Sequence, residues 1–278
     1  LLEALLLGDR AHVDPRLETL FRRAGALHLL ALSGMHLAVI ALLVRALVRP
    51  LAGPRVAGWA AVASAVLYLV IAGPRPGLVR ACILVSLVMV LREIDRSRPI
   101  IEVLAGAFLI QIIVWPGAAG ELGFQLSYLS LLGIAVMAGP LSSQLERFLP
   151  PFLAAPLAAG VGASLFTAPV ILAAFGVWYP GGILASIVMS PVVLLFLVMG
   201  LVATLATAVG VLFIGPVSRP VLELLADAAG GAGWFFAGVP GLRPAGQLIG
   251  WQLGLALVAA LVFAAGLRHL YRRSHGVA

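Results

Sequence analysis

Residues 183–210 read ILASIVMSPVVLLFLVMGLVATLATAVG and contain no charged side chain. A helix needs about 20 mostly apolar residues to cross the roughly 30 Å hydrocarbon core of a bilayer. This stretch is long enough, so it predicts a membrane-spanning helix that Pro191 interrupts. Seven further apolar stretches lie between charged or Pro- and Gly-rich breaks: 26–48, 56–72, 77–91, 100–114, 119–139, 152–177 and 246–267.

The composition of the whole chain agrees with this interpretation. Of its 278 residues, 62% are hydrophobic and 10% are charged, and the mean hydropathy is +1.13, whereas soluble domains average about 45–50% apolar and 25% charged residues. These values exclude a soluble globular domain and a disordered chain. We predict an all-α polytopic membrane protein with about eight transmembrane helices, some short or Pro-broken, and interfacial amphipathic helices.

We expect residues 1–278 to form a single transmembrane channel domain. Its predicted parts are a leading segment with an interfacial helix, the core helices, an amphipathic segment, and the last helix with a basic tail: 1–25, 26–210, 211–245 and 246–278. The chain begins at Leu1 with no positively charged leader before it, which indicates a piece of a longer protein.

Two segments have the pattern of amphipathic helices. In 14–23, Asp14 predicts an N-cap and Pro15 the first helical position. The apolar residues of this segment fall on one face, opposite its charged residues, which predicts a helix at the membrane interface: Leu17, Leu20 and Phe21. The segment 219–236 has two carboxylates one turn apart, and we expect it to lie flat or to cap the bundle.

The charged residues exclude several mechanisms. All 18 basic residues are arginines, and they exceed the 11 acidic residues by seven. Without lysine the chain has no Walker-A phosphate loop, no kinase-type catalytic lysine and no Schiff-base chemistry. The chain has a single cysteine, Cys82, and no H-E-x-x-H sequence, so nothing in the sequence supports a metal site. We therefore predict no enzyme, no cofactor and no metal.

Polar side chains inside the stretch 26–48 suggest a site, because such groups are costly in a membrane unless they are sheltered. Ser33 and His36 lie one helical turn apart, and His28 lies two turns before His36. The pair is either the nucleophile and base of an intramembrane hydrolase or a set of groups that packs in the interior or lines a pore. No orienting carboxylate accompanies the pair, which favours the second interpretation.

The stretch 119–139 carries a polar stripe. Glu121, Gln125 and Tyr128 are spaced i, i+4 and i+7 on one helical face. A second, weaker polar edge is formed by Ser127 and Ser130. The stripe indicates either a face that lines water or hydrogen bonds to neighbouring helices.

The stretch 77–91 contains Arg80, with Arg75 just outside it. The two arginines either extend to the membrane surface, as long cationic side chains do, or contact anions at the mouth of a pore. The proline-broken stretches 152–177 and 183–210 leave open a different function, a small-anion secondary transporter with its site at the broken helices.

Several of these motifs occur together in one known family. Residues 5–28, LLLGDRAHVDPRLETLFRRAGALH, lead directly into HLLALSGMH at 28–36. GPRPGLVRA follows at 73–81 and GFQLSY at 123–128. In order and spacing, the chain from about residue 6 to 140 resembles the membrane-embedded competence domain of the ComEC family, the inner-membrane DNA-uptake channels of naturally transformable bacteria.

The resemblance implies a function and partners. It implies that the chain passes single-stranded DNA across the bacterial inner membrane, with membrane lipids around it. It also implies extracellular OB-like and metallo-β-lactamase-like domains in the full-length protein, and a cytoplasmic helicase or ATPase that pulls the strand. The polar candidates then become pore or DNA contacts: His28, Ser33, His36, Arg75, Arg80, Glu121, Phe124, Gln125, Ser127 and Tyr128.

The resemblance also suggests an orientation. Arginines divide nine and nine between the two predicted sides, so the positive-inside rule gives no answer. Because both ends of the family's domain connect to extracellular domains, we expect the side with the termini to be external. The predicted entrance arginines on that side are Arg10, Arg22 and Arg23.

The resemblance also implies functional contacts with the strand. Tyr68 is a further candidate base contact, and replacing Arg80 or Gln125 is expected to lower DNA uptake.

Overall fold

The computed structural model describes residues 14–30, 34–93, 98–208 and 214–243, and these residues are almost entirely helical. The α-helices in this part of the chain are α1 (Pro15–Arg23), α2 (Gly34–Ala72), α3 (Pro76–Glu93), α4 (Ile100–Val114), α5 (Leu122–Leu145), α6 (Pro151–Phe175), α7 (Gly182–Ala208) and α8 (Ile214–Ala237). Two 3₁₀ turns accompany them, Leu27–Leu29 and Pro116–Gly120.

The predicted fold class is confirmed. Among the described residues, four helices are long and apolar enough to cross a membrane: Gly34–Ala72, Leu122–Leu145, Pro151–Phe175 and Gly182–Thr204. The short helix α4 has the predicted bounds, and its 15 residues extend about 22 Å, less than a bilayer core. The predicted stretch 246–267 lies outside the described residues.

The amphipathic helix α1 forms as predicted. The Asp14 side chain caps it by accepting a 2.8 Å hydrogen bond from the Arg16 backbone N–H, and Pro15 occupies the first turn. Its buried anchor is Phe21. The turn after α1 reverses at Gly25, whose φ of 72° favours glycine.

Helix α2 is a hairpin that unites the predicted stretches 26–48 and 56–72. Gly53 interrupts it with φ 82° and ψ 171°, between Pro50 and Pro54. Gly34 lies against the first turns of α3, at positions 77–81, and Gly58 lies against Met89. Positions 77 and 89 of α3 are about 18 Å apart, whereas a straight helix would separate positions 34 and 58 by about 36 Å. The second half of α2 therefore folds back along the first.

The segment expected to lie flat or to cap the bundle instead runs beside a predicted span. Gly233 of α8 meets Met189 in the second turn of α7, and Val239 after α8 meets Gly181 before α7. The two helices are therefore antiparallel. Apolar residues of α1, α7 and α8 share one core cluster, so α8 buries part of its apolar surface against these two helices.

Several loops meet at one end of the bundle, which we call the cavity end. Gly25 packs against Tyr179 and Gly182, and Trp178 forms an antiparallel bridge with Leu242. The helices α3, α5 and α7 begin at this end, and α6 ends there.

Candidate functional site

A cavity of about 430 Å³ opens at the cavity end, between α3, α5, α6 and α7. Its lining combines apolar residues with hydroxyl, aromatic and cationic side chains. The polar and aromatic members are His28, Arg80, Ser127, Ser130, Ser164, Thr167, Trp178, Tyr179 and Ser186. No carboxylate is among the lining residues that the structure describes, so the cavity is suited to anions and not to cations.

Arg80 supplies the fixed charge of the cavity. Its side chain is only 9% exposed, and its guanidinium carbon lies 5.8 Å from the centre of the Tyr128 ring, a cation–π distance. Gly34 allows α2 to approach α3 here, because a Cβ at that position would lie 3.3 Å from an Arg80 guanidinium nitrogen. Arg80 Nη1 is buried and has no protein partner among the described residues. This nitrogen therefore has an unused donor, and other atoms of the Arg80 side chain line the cavity.

Tyr128 lies behind Arg80 and connects α5 with α4. Its hydroxyl donates a 2.9 Å hydrogen bond to Oε1 of Gln111, which is 1% exposed. Its ring also packs on Phe124 at 4.6 Å and, edge to face, on Phe108 at 5.2 Å. The interhelical hydrogen bond that the sequence left open is present at Tyr128, and its partner Gln111 was not among the predicted site residues.

The other members of the polar stripe point elsewhere. Gln125 Nε2 donates a 3.0 Å hydrogen bond to the backbone carbonyl of Ala119, in the turn before α5. Glu121 is the residue before α5, and its side chain makes no capping bond. Neither residue lines the cavity, whereas Ser127 and Ser130 of the weaker edge do. The minor polar edge of α5 is therefore the one that faces the cavity.

The remaining hydroxyls come from α6 and α7, the Pro-broken stretches in which the sequence analysis named no polar side chain as a site residue. Ser164 of α6 accepts a 3.1 Å hydrogen bond from the Trp178 indole N–H. Thr167 and Ser186 each donate to a backbone carbonyl one turn earlier in their own helices. Single hydroxyl side chains are common in apolar helices, and each bonds to its own helix backbone or a neighbour. Ser164, Thr167 and Ser186 differ from such residues because they line the same cavity.

The two described histidines lie in different elements. His28 is in the 3₁₀ turn Leu27–Leu29, so it does not share a helix with His36 as predicted. It lies on the cavity wall. The His28 residue as a whole is exposed, but desolvation of its ring by the surrounding protein lowers its pKa from the usual 6.5, and a hydrogen bond to the Gly25 backbone partly opposes this shift. His36 is fully buried in α2, and Ser33 lies outside the described residues.

The predicted entrance arginines are at the surface or close to it. Arg22 and Arg23 are exposed on α1, and Arg22 forms a 2.8 Å ion pair with Glu18. Arg75 is half-buried and close enough to Tyr68 to interact electrostatically. None of Arg22, Arg23 and Arg75 lines the cavity. Arg10 lies outside the described residues.

The described residues contain no group of three or more histidine, cysteine or carboxylate side chains that could hold a metal ion. No curated protein and no solved structure matches the chain. The family model described as Competence protein matches residues 5–273, nearly the whole chain. The chain therefore belongs to the Competence protein family, in agreement with its resemblance to the ComEC membrane domain.

Proposed function

We propose that this chain is the membrane channel domain that passes single-stranded DNA across the bacterial inner membrane during natural transformation. Membership of the Competence protein family gives it a role in competence and DNA uptake. The narrower role of a channel rests on the geometry of the cavity end.

One observation carries the proposal, the buried cation in a cavity without described carboxylates. Each nucleotide of a single strand brings one negative charge, and proteins that bind such strands combine basic grooves with aromatic side chains. Arg80 provides the charge, while Trp178 and Tyr179 provide aromatic surface. The many hydroxyls of the lining bind phosphate less strongly than further arginines would, so they allow the strand to move on.

The proposal requires an external energy source. Moving a phosphate charge into a negative-inside cell costs on the order of 2.3 kcal/mol per 100 mV. The sequence has no lysine and therefore no Walker-A motif. A cytoplasmic helicase or ATPase would pull the strand. OB-like and nuclease domains would act at the cavity end, which we propose faces outward.

An uptake assay tests this function. We expect R80Q to lower the uptake of labelled DNA by about tenfold or more, because it removes a charge-assisted contact of about 1.5–3 kcal/mol with phosphate. Two control variants are available. Arg92 is an exposed arginine of the same helix. Gln125 donates a hydrogen bond to the backbone carbonyl of Ala119 and does not line the cavity.

We expect R92Q and Q125L to take up DNA as the wild type does, so the structure revises the expectation for Gln125. The assay uses a transformable strain that depends on this protein and compares variants at equal amounts in the membrane. Normal uptake by R80Q would remove the basis of the proposal.

A further inference from the structure

The cavity has the charge of one particular kind of anion. Arg80 is its fixed cation. The described lining contains no second arginine and no carboxylate, so its fixed charge is +1. Inorganic phosphate and terminal phosphate groups carry about −1.5 to −2 at neutral pH, whereas a phosphodiester carries −1. The charge of the lining therefore matches a phosphodiester.

The hydroxyls provide further donors around this charge. Ser164 accepts a hydrogen bond from Trp178, which leaves its own hydrogen free to donate. Within the described part of the chain, Ser127 likewise has no side-chain hydrogen bond. Both side chains line the cavity together with Arg80, whose Nη1 lacks a protein partner. We expect these groups to donate to the non-bridging oxygens of a phosphodiester bound in the cavity.

The aromatic part of the lining fits an unpaired base. The hydrogen bond to Ser164 holds the Trp178 indole in place, and Tyr179 is the next residue in the chain. Bases bind on such aromatic surfaces whatever their identity. A cavity of about 430 Å³ falls in the size range of pockets that hold one small molecule, which suits a single nucleotide.

We propose that the cavity is a one-nucleotide site that holds a phosphodiester on Arg80, Ser127 and Ser164 and its unpaired base on Trp178 and Tyr179. The inference rests on the proposed function and adds to it the place where a single strand is distinguished from a duplex. The site selects by backbone charge and by the absence of a paired base.

A binding experiment with the full chain in phosphatidylcholine nanodiscs tests the site. The probe is a fluorescent oligothymidylate of four nucleotides. We expect saturable binding that weakens with salt, and an affinity lowered about tenfold to a hundredfold in R80Q, the range for a charge-assisted hydrogen bond. R92Q, on the exposed part of the same helix, should bind as the wild type does.

Three competitors separate the possible ligands. A tetranucleotide with uncharged methylphosphonate linkages, millimolar inorganic phosphate, and a short duplex should all fail to displace the probe. Competition by inorganic phosphate at the same concentration as by the oligonucleotide would overturn the site in favour of a free-anion site. Equal competition by the duplex, or equal binding by R80Q, would also overturn it.

Because R80Q also removes the contact with the Tyr128 ring, a second variant keeps the arginine. S127A should lower the affinity at least threefold and leave the thermal midpoint unchanged within error, because the Ser127 hydroxyl makes no hydrogen bond to the other described residues, and wild-type affinity would contradict the proposed Ser127 contact. The site and the channel role can fail separately. Lost uptake by R80Q with no binding by wild-type protein would overturn the site alone. Normal uptake by R80Q with Arg80-dependent binding would overturn the channel role alone.

Discussion

Tyr128 shows how one side chain supports the cavity from behind. Its ring lies against the Arg80 guanidinium while its hydroxyl bonds to Gln111 on the neighbouring helix. Gln111 Nε2 has no partner among the described residues, so the carbonyl end of this amide depends on Tyr128. The pair fixes the ring on which Arg80 rests.

We expect Y128F to lower the free energy of unfolding by about 0.6 kcal/mol, and by no more than about 1.7 kcal/mol, the range for interhelical hydrogen bonds in membranes. A double-mutant cycle with Q111L measures this bond. Once Gln111 is gone, Y128F should cost little, so the double variant should lose less stability than the sum of the single variants. Additive losses in detergent unfolding would show that the bond contributes nothing.

His28 predicts a pH dependence of stability. Its pKa is below 6.5 in the folded protein and close to 6.5 in the unfolded chain. Below pH 6.5 the unfolded chain binds a proton that the folded protein resists, so the free energy of unfolding falls as the pH falls.

The thermal midpoint should therefore decrease between pH 7 and pH 5, and H28Q should flatten this decrease. His36 is present in both proteins, so the difference between them isolates His28. An identical slope in H28Q would contradict the shift.

At the scale of elements, the crossing of α5 and α6 depends on two glycines. A Cβ on Gly133 or on Gly162 would collide with the backbone carbonyl of the other residue. Backbone cannot move aside as a flexible side chain does, so the two helices would have to separate. Small residues at such crossings are typical of membrane helices.

We expect G133A to destabilise the protein by about 1–3 kcal/mol, the usual cost of overpacking. Gly139 provides the matched control, because it lies in the same helix and a Cβ there meets nothing within 4 Å. G139A should unfold at the wild-type midpoint or above it. If both variants unfold alike, the close crossing is not a determinant of stability.

The elements also show where prediction from sequence ends. The bounds of α4 and the cap of α1 were predictable because apolar length and local capping chemistry act within one segment. The position of helix α8 was not predictable, because Glu223 and Asp227 gave its sequence the pattern of a surface helix. Only packing against α1 and α7 places it beside a span.

At the scale of the whole molecule, the proposed orientation is open to a direct test. Cys82 is the single cysteine of the chain and is buried, so an added cysteine can be labelled selectively. Ala119 is exposed at the cavity end, and Phe148 is exposed at the opposite end, in the turn between α5 and α6.

If the cavity end faces the incoming DNA, an impermeant maleimide should label A119C in intact spheroplasts and F148C only after permeabilisation. The reverse pattern would show that the cavity faces the cytoplasm. Wild-type protein, with only Cys82, provides the background measurement.

The sequence by itself determined that this protein is a helical membrane protein of the competence family, because apolar run length, capping residues and motif order are properties of local sequence. Only the tertiary structure decided which polar groups share a site. Helical periodicity placed Gln125 and Tyr128 on one face and Ser127 on another, but it could not say which face meets α4 and which meets the cavity. That depends on how neighbouring helices pack, and so Arg80, Ser127 and Ser164, from three different helices, meet only in the folded chain.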